Sequence, residues 1–154
     1  MDIGLFQAQW ILGMFPAAQV PDFAASLMVA GFEGPAILEL ASFHKPTRWD
    51  IKDELVQRAL AETGAKQIST SEARRRVAED IARKIISREI HPYDGAHLIW
   101  SDVVDDDDWL EDLAPFVGLA SEYEDLEPSR RAEYLPHIIA YAKEFVEKRS
   151  ASSG

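Results

Sequence analysis

Apolar residues recur at helical spacing along almost the whole chain, and no stretch alternates apolar and polar residues as a half-buried strand does. That pattern restricts the chain to helix-on-helix packing. The clearest example follows Ser69: Ala73, Val77, Ile81, Ile85 and Ile86 form one apolar stripe. Ser69 and Glu72 stand at capping-box spacing, so hydroxyl and carboxylate can satisfy the orphan amides at the helix start. On the polar side, Arg75–Glu79, Arg76–Asp80, Glu79–Arg83 and Asp80–Lys84 are each four residues apart and suited to ion pairing. The Arg74-Arg75-Arg76 run is therefore read as a solvated, ion-paired face and not as a nucleic-acid patch, which needs an uncompensated field.

The same periodicity predicts short helices over 4–14, 21–31 and 35–43, with Gly31 and Gly34 as stops. His44-Lys45-Pro46-Thr47 breaks the chain, and Thr47 is expected to cap a helix that buries Ile51, Leu55, Ala59 and Leu60 and stops at Thr63-Gly64. Pro92 opens a helix burying Ala96, Ile99, Trp100 and Val103. A short acidic helix over 106–113, another over 115–126 and a long one over 129–149 complete the set. Pro136 should kink the last helix or mark its true start. Trp10, Trp49 and Trp100 fall in helical stripes and are expected in the core. The fold expectation is all-α: a single-domain irregular bundle of about seven or eight helices over residues 1–149, with a disordered tail over 150–154.

The 154 residues include 47% hydrophobic and 28% charged residues, the range of an ordinary globular domain. No cysteine is present, which removes disulfides, thiolate nucleophiles and zinc–sulfur sites. Met1-Asp2-Ile3-Gly4 lacks the basic start of a secretory signal, and no apolar run reaches the roughly 18 residues of a membrane span. A cytoplasmic location is expected, with no membrane contact.

Charge is distributed unevenly. Residues 1–90 hold eleven Lys+Arg against twelve Asp+Glu, a net of −1, whereas residues 91–154 hold five against fifteen, a net of −10. Between Asp94 and Glu127 there are twelve acidic residues and no Lys or Arg. Phosphate-backbone binding needs clustered cations, so nucleic acid is excluded as a partner. A basic protein is the partner this half suits. The candidate contact residues are Asp105, Asp106, Asp107, Asp108, Trp109, Glu111, Glu122, Glu124 and Asp125. Trp109, between Asp108 and Glu111, is the candidate aromatic anchor within an acidic rim.

Asp105-Asp106-Asp107-Asp108 does not read as a calcium loop. An EF-hand alternates its ligands, turns at a glycine and closes on a glutamate at position twelve, where this chain has Phe116. Asp105 or Asp106 is expected instead to cap the helix entering at Trp109. Asp94 with His97, and Glu133 with His137, are the pairs at one-turn spacing. They resemble fragments of a carboxylate di-metal site, which needs two Glu-x-x-His units and further glutamates. No Gly-x-Ser-x-Gly elbow, phosphate loop or His-Glu-x-x-His motif accompanies them. No metal or cofactor is expected, and the chain is read as non-enzymatic.

Trp10 with Gly13, the run Gly34 to Ala41, Trp49-Asp50-Ile51, Pro92-Tyr93-Asp94-Gly95-Ala96 with Ile99-Trp100, and Pro115 to Asp125 together form a recurring pattern. In these segments, across roughly Trp10 to Tyr141, the chain resembles a family of small, uncharacterised bacterial all-helical proteins. The family pattern often has an acid at His91 and a Trp at Tyr123, so neither residue is carried over as a required one. The resemblance implies a helical fold and a bacterial source, and it carries no activity.

The leading expectation is an acidic protein-binding domain of the immunity or antitoxin type, neutralising a basic toxin through its C-terminal half. Two alternatives stand beside it. One is a small metal-dependent or acid/base enzyme using Asp94, His97, Glu133 and His137. The other is a structural protein self-associating through Leu5, Phe6, Trp10, Met14 and Phe15.

Overall fold

The computed structural model of the protein describes residues 1–152. The fold is all-α. Among the described residues there are eight α-helices and no strand, only an isolated antiparallel bridge between Asp105 and Asp108. No helix is long and apolar enough to cross a membrane among these residues. Contacts group the chain into two compact units, Met1–Ala73 and the part from Arg74 onward.

The first unit contains α1 (Ile3–Ile11), α2 (Val20–Val29), α3 (Pro35–Ser42) and α4 (Asp53–Glu62). Asp2 caps α1, its Oδ1 accepting from the Leu5 amide at 2.9 Å. Phe6 and Trp10, one turn apart on α1, are buried with Val20, Leu27, Ile37, Leu40, Val56 and Leu60. Phe6 stacks on Phe23 at 4.0 Å and meets Phe15 edge-on at 4.7 Å. Two residues proposed for self-association, Phe6 and Trp10, are thus enclosed within their own unit, because the α1 stripe is needed to cover α2 and α4. The exposed large apolar side chains of this unit lie elsewhere, at Met1, Met28, Val29, Leu38 and Trp49.

Gly34 is not a stop but the N-cap position of α3. The Glu62 carboxylate reaches across from α4 and accepts from the amides of Ala36 at 3.0 Å and Ile37 at 2.8 Å. A Cβ at Gly34 would overlap that carboxylate and push it off the two amides, so glycine leaves the room that this cap uses. The helix expected from Thr47 begins later, at Asp53. Thr47 donates its amide and hydroxyl to Asp50, at 2.8 and 3.0 Å, and the four residues close as a turn. Asp50 is the better acceptor, being anionic, and this inverts the expected capping. The turn presents Trp49 outward at 95% exposure, so its apparent place in a helical stripe has no structural counterpart.

Helix α5 (Thr70–Ile86) crosses the division. Its start is the expected one: Ser69 Oγ accepts from the Glu72 amide at 3.0 Å. The second unit continues with α6 (Pro92–Leu98), a π-helical turn over Ile99–Val103, α7 (Ala114–Asp125) and α8 (Arg131–Ser152). Its buried residues include Val77, Ile81, Ile85, Ile99, Phe116, Ile138 and Phe145. Gly95 lies so close to the Ile85 side chain that a Cβ would overlap it. The π turn is closed by the Val104 amide donating to the Ile99 carbonyl at 2.9 Å, an i to i+5 bond. The inserted residue breaks the expected face: Ile99 and Val103 are buried, but Trp100 is 36% exposed. Helix α8 starts at Arg131, passes through Pro136 and continues to Ser152. The expected tail from 150 is therefore helical as far as Ser152, and residues 153–154 lie outside the described residues.

Candidate acidic interface

Arg74 organises the acidic segment. It stands at the head of the buried stripe Arg74–Val77–Ala78–Ile81 and is only 9% exposed. Its guanidinium takes Asp105 on one nitrogen at 3.0 Å and Asp108 on the other. The loop is tied within itself as well. The Asp108 amide donates to the Asp105 carbonyl at 3.1 Å, and the Asp107 amide to Asp105 Oδ1 at 2.9 Å. Next along α5, Arg75 Nε donates to Asp112 at 2.9 Å.

These contacts correct three expectations. Asp105 to Asp108 form a closed turn in place of the start of a helix over 106–113, because four adjacent carboxylates repel and a buried guanidinium offers two of them a partner. Arg74 is not on the solvated face, and Arg75 reaches Asp112. The expected pairs Glu79–Arg83 and Asp80–Lys84 are present, at 3.0 and 3.2 Å.

The turn divides the acids by role. Asp105 and Asp108 are half-buried against Arg74, whereas Asp106, Asp107 and Glu111 are exposed and Trp109 is 44% exposed. Glu122, Glu124 and Asp125 form a second group at the far end of α7, about 15 Å along the helix from its start at 1.5 Å of rise per residue. Acids at a helix C-terminus face the negative end of its dipole. Arg131 compensates by donating to the Leu126 and Glu124 carbonyls at 3.2 and 3.1 Å, with its guanidinium 5.5 Å from the Tyr123 ring. Tyrosine hydroxyls hold two of the carboxylates: Tyr93 donates to Glu124 and Tyr134 to Glu122.

The residues of the enzyme alternative have different neighbours. His97 Nε2 is 4.0 Å from Glu124 on α7. Glu133 and His137 line a shallow recess with Leu126, Arg130 and Tyr134. Among the described residues no three His, Asp or Glu side chains gather where they could hold a metal ion, so the two pairs do not combine into one metal site. The aromatic cluster was missed by sequence reasoning. Tyr93 stacks on Tyr123 at 4.5 Å, and His97 lies between Tyr93 at 5.7 Å and Trp100 at 5.9 Å. The spacing of Tyr93, His97 and Trp100, four and three residues apart on one helical face, was its visible signal.

Three tyrosines are shifted upward, each to about 12. For Tyr93 the main cause is its hydrogen bond to Glu124, and for Tyr134 it is burial, then the bond to Glu122. Tyr141 is raised by burial and then by the charges of Asp112 and Glu144. An unfolded tyrosine ionises near 10, so above that pH the unfolded state loses protons first. Stability from these groups is complete below pH 10 and declines as pH rises toward 12. A titration of tyrosinate absorbance should show Tyr93, Tyr134 and Tyr141 ionising late, alongside melting that weakens over that window. Ionisation of these three near pH 10 would contradict the assignment.

No family model matches the chain, and neither curated proteins nor solved structures include a significant match.

Proposed function

We propose that the protein is a non-enzymatic binding domain that docks a basic protein partner through its acidic C-terminal half, in the manner of an immunity or antitoxin-type protein covering a cationic site on a toxin. The observation that supports this reading is the Arg74-braced loop. Asp105 and Asp108 are used to hold the turn, and Asp106, Asp107, Glu111 and Trp109 face water on a backbone already ordered. A pre-ordered loop loses little entropy on binding. Exposed carboxylates accelerate encounter with a cationic surface, and an adjacent indole supplies contact area that charge alone lacks.

The test is capture of partners from the source cell at low and high salt, followed by association kinetics with any basic protein recovered. The Asp106→Asn/Asp107→Asn variant should slow association about tenfold at low salt and little at high salt. Trp109→Ala should mainly quicken dissociation. Inhibition of a nucleic-acid-cleaving activity of the partner would support the immunity form. An association rate indifferent to salt and to both aspartates would remove the basis of the reading.

A further inference from the structure

A groove of about 470 Å³ runs along the outer surface between α7 and α8. Helix α7 lines it with Pro115, Gly118, Leu119 and Glu122, and α8 with His137, Ala140, Tyr141 and Glu144. Each set is spaced i, i+3, i+4, i+7, so each helix offers one face for two turns, about 10 Å. The helices are antiparallel, since Tyr141 donates to the Asp112 carbonyl near the start of α7 and Tyr134 to Glu122 near its end. Leu119, Ala140, Pro115 and the Tyr141 ring supply apolar lining. Glu122 and Glu144 accordingly mark opposite ends.

Gly118 is the telling residue. Glycine is the least favourable residue after proline inside a helix. Here the backbone has no positive φ, and a Cβ would meet nothing within 4 Å. Neither a turn nor internal packing requires it. What its missing side chain does is deepen the groove and let another backbone come close.

We propose that this groove is a docking site for a basic amphipathic helix of the partner, with small or aliphatic residues against Gly118 and Ala140 and a Lys or Arg at each end, seven residues apart, against Glu122 and Glu144. The inference rests on the reading of the acidic half as a binding surface, and names the element it receives. Charge complementarity selects the occupant: both rim carboxylates are exposed, and among the described residues the ion pair seen at either is Lys148 with Glu144 at 2.9 Å, a surface pair of little strength. Two helices presenting an apolar trough suit a third helix, whose anchors fall at the same spacing.

The probe is a fluorescent helical peptide built on Lys-x-x-Leu-Ala-x-x-Lys, with a Glu-for-Lys counterpart, titrated into the full chain at low salt. The basic peptide should bind and the acidic one should not. Gly118→Ala should raise Tm by about 1–3 °C yet weaken the peptide several-fold, and Gly118→Leu should weaken it at least tenfold with the helical spectrum intact. Glu122→Gln/Glu144→Gln should weaken it about tenfold and flatten its salt dependence. Peptide affinity unchanged by Gly118→Leu overturns the groove. If the Asp106→Asn/Asp107→Asn variant alone loses the peptide, the groove is overturned while the acidic loop stands. No binding of the basic peptide also overturns the groove, and leaves the loop to its own test with the captured protein.

Discussion

Arg74→Met is expected to destabilise the second unit by about 2–3 kcal/mol, although methionine preserves much of the arginine's apolar stem. The guanidinium is nearly enclosed, whereas Asp105 and Asp108 remain about two-fifths exposed. Water can therefore recover part of what the carboxylates lose, which keeps the cost below that of breaking a fully buried pair. Arg74→Lys should fall between the two, since an ammonium cannot hold two carboxylates as a planar fork does. Urea unfolding followed by circular dichroism measures both, and Tm should fall by roughly 4–10 °C for the methionine variant. A loss below about 1 kcal/mol would mean that the desolvation of Arg74 nearly cancels its attraction to the aspartates.

The same variant separates charge from geometry in binding. Removing Arg74 makes the net charge more negative, from −11 to −12. If long-range attraction alone governed the encounter, the variant should associate faster with a basic partner. If the braced turn governs it, association should slow, because Asp106, Asp107 and Trp109 must then be ordered at the moment of contact. The sign of the change in association rate decides between the two.

The helices were legible because their signals are local. Ser69 with Glu72, and Pro92, mark helix starts through chemistry contained within one turn, and the α-helices other than α4, whose start moves from Thr47 to Asp53, appear close to where periodicity put them. What failed in the acidic segment depended on a partner distant in sequence. Asp105 and Asp108 lie 31 and 34 residues from Arg74, and nothing near them distinguishes a cap from a turn. The usable signal was on the other side: Arg74 occupies the same helical face as Val77, Ala78 and Ile81, and an arginine heading an apolar stripe needs acids to meet it. Trp100 was misplaced for a second reason. The π turn at Ile99–Val103 inserts a residue into the helical count, and periodicity taken at 3.6 residues per turn then assigns the wrong face. Gly118 had a signal in plain view, a glycine in mid-helix, but its meaning needed the open space above it.

Trp10 and Trp49 bring both lessons to one measurement, since each was expected in the core. Trp10 is buried against Phe6, donates its Nε1 hydrogen to Asp53 at 3.0 Å and carries the Arg48 guanidinium 3.5 Å above its ring. Trp10→Ala removes a large ring from a packed core and should cost about 3–5 kcal/mol. Asp53 adds little to that cost, because it is exposed and keeps its ion pair with Arg48 at 2.9 Å. Trp10→Phe retains most of the packing and loses the hydrogen bond, so about 1–2 kcal/mol is expected. Trp49→Ala should change stability by no more than about 0.5 kcal/mol, as the side chain is almost wholly in water. Fluorescence provides an independent check. Trp49, Trp100 and Trp109 are all exposed, so Trp10→Phe should shift the folded protein's emission to the red, and Trp49→Phe should shift it slightly to the blue. Equal losses from Trp10→Ala and Trp49→Ala would mean that the 47–50 turn packs against something in solution, and that the outward Trp49 is an anchor in its own right.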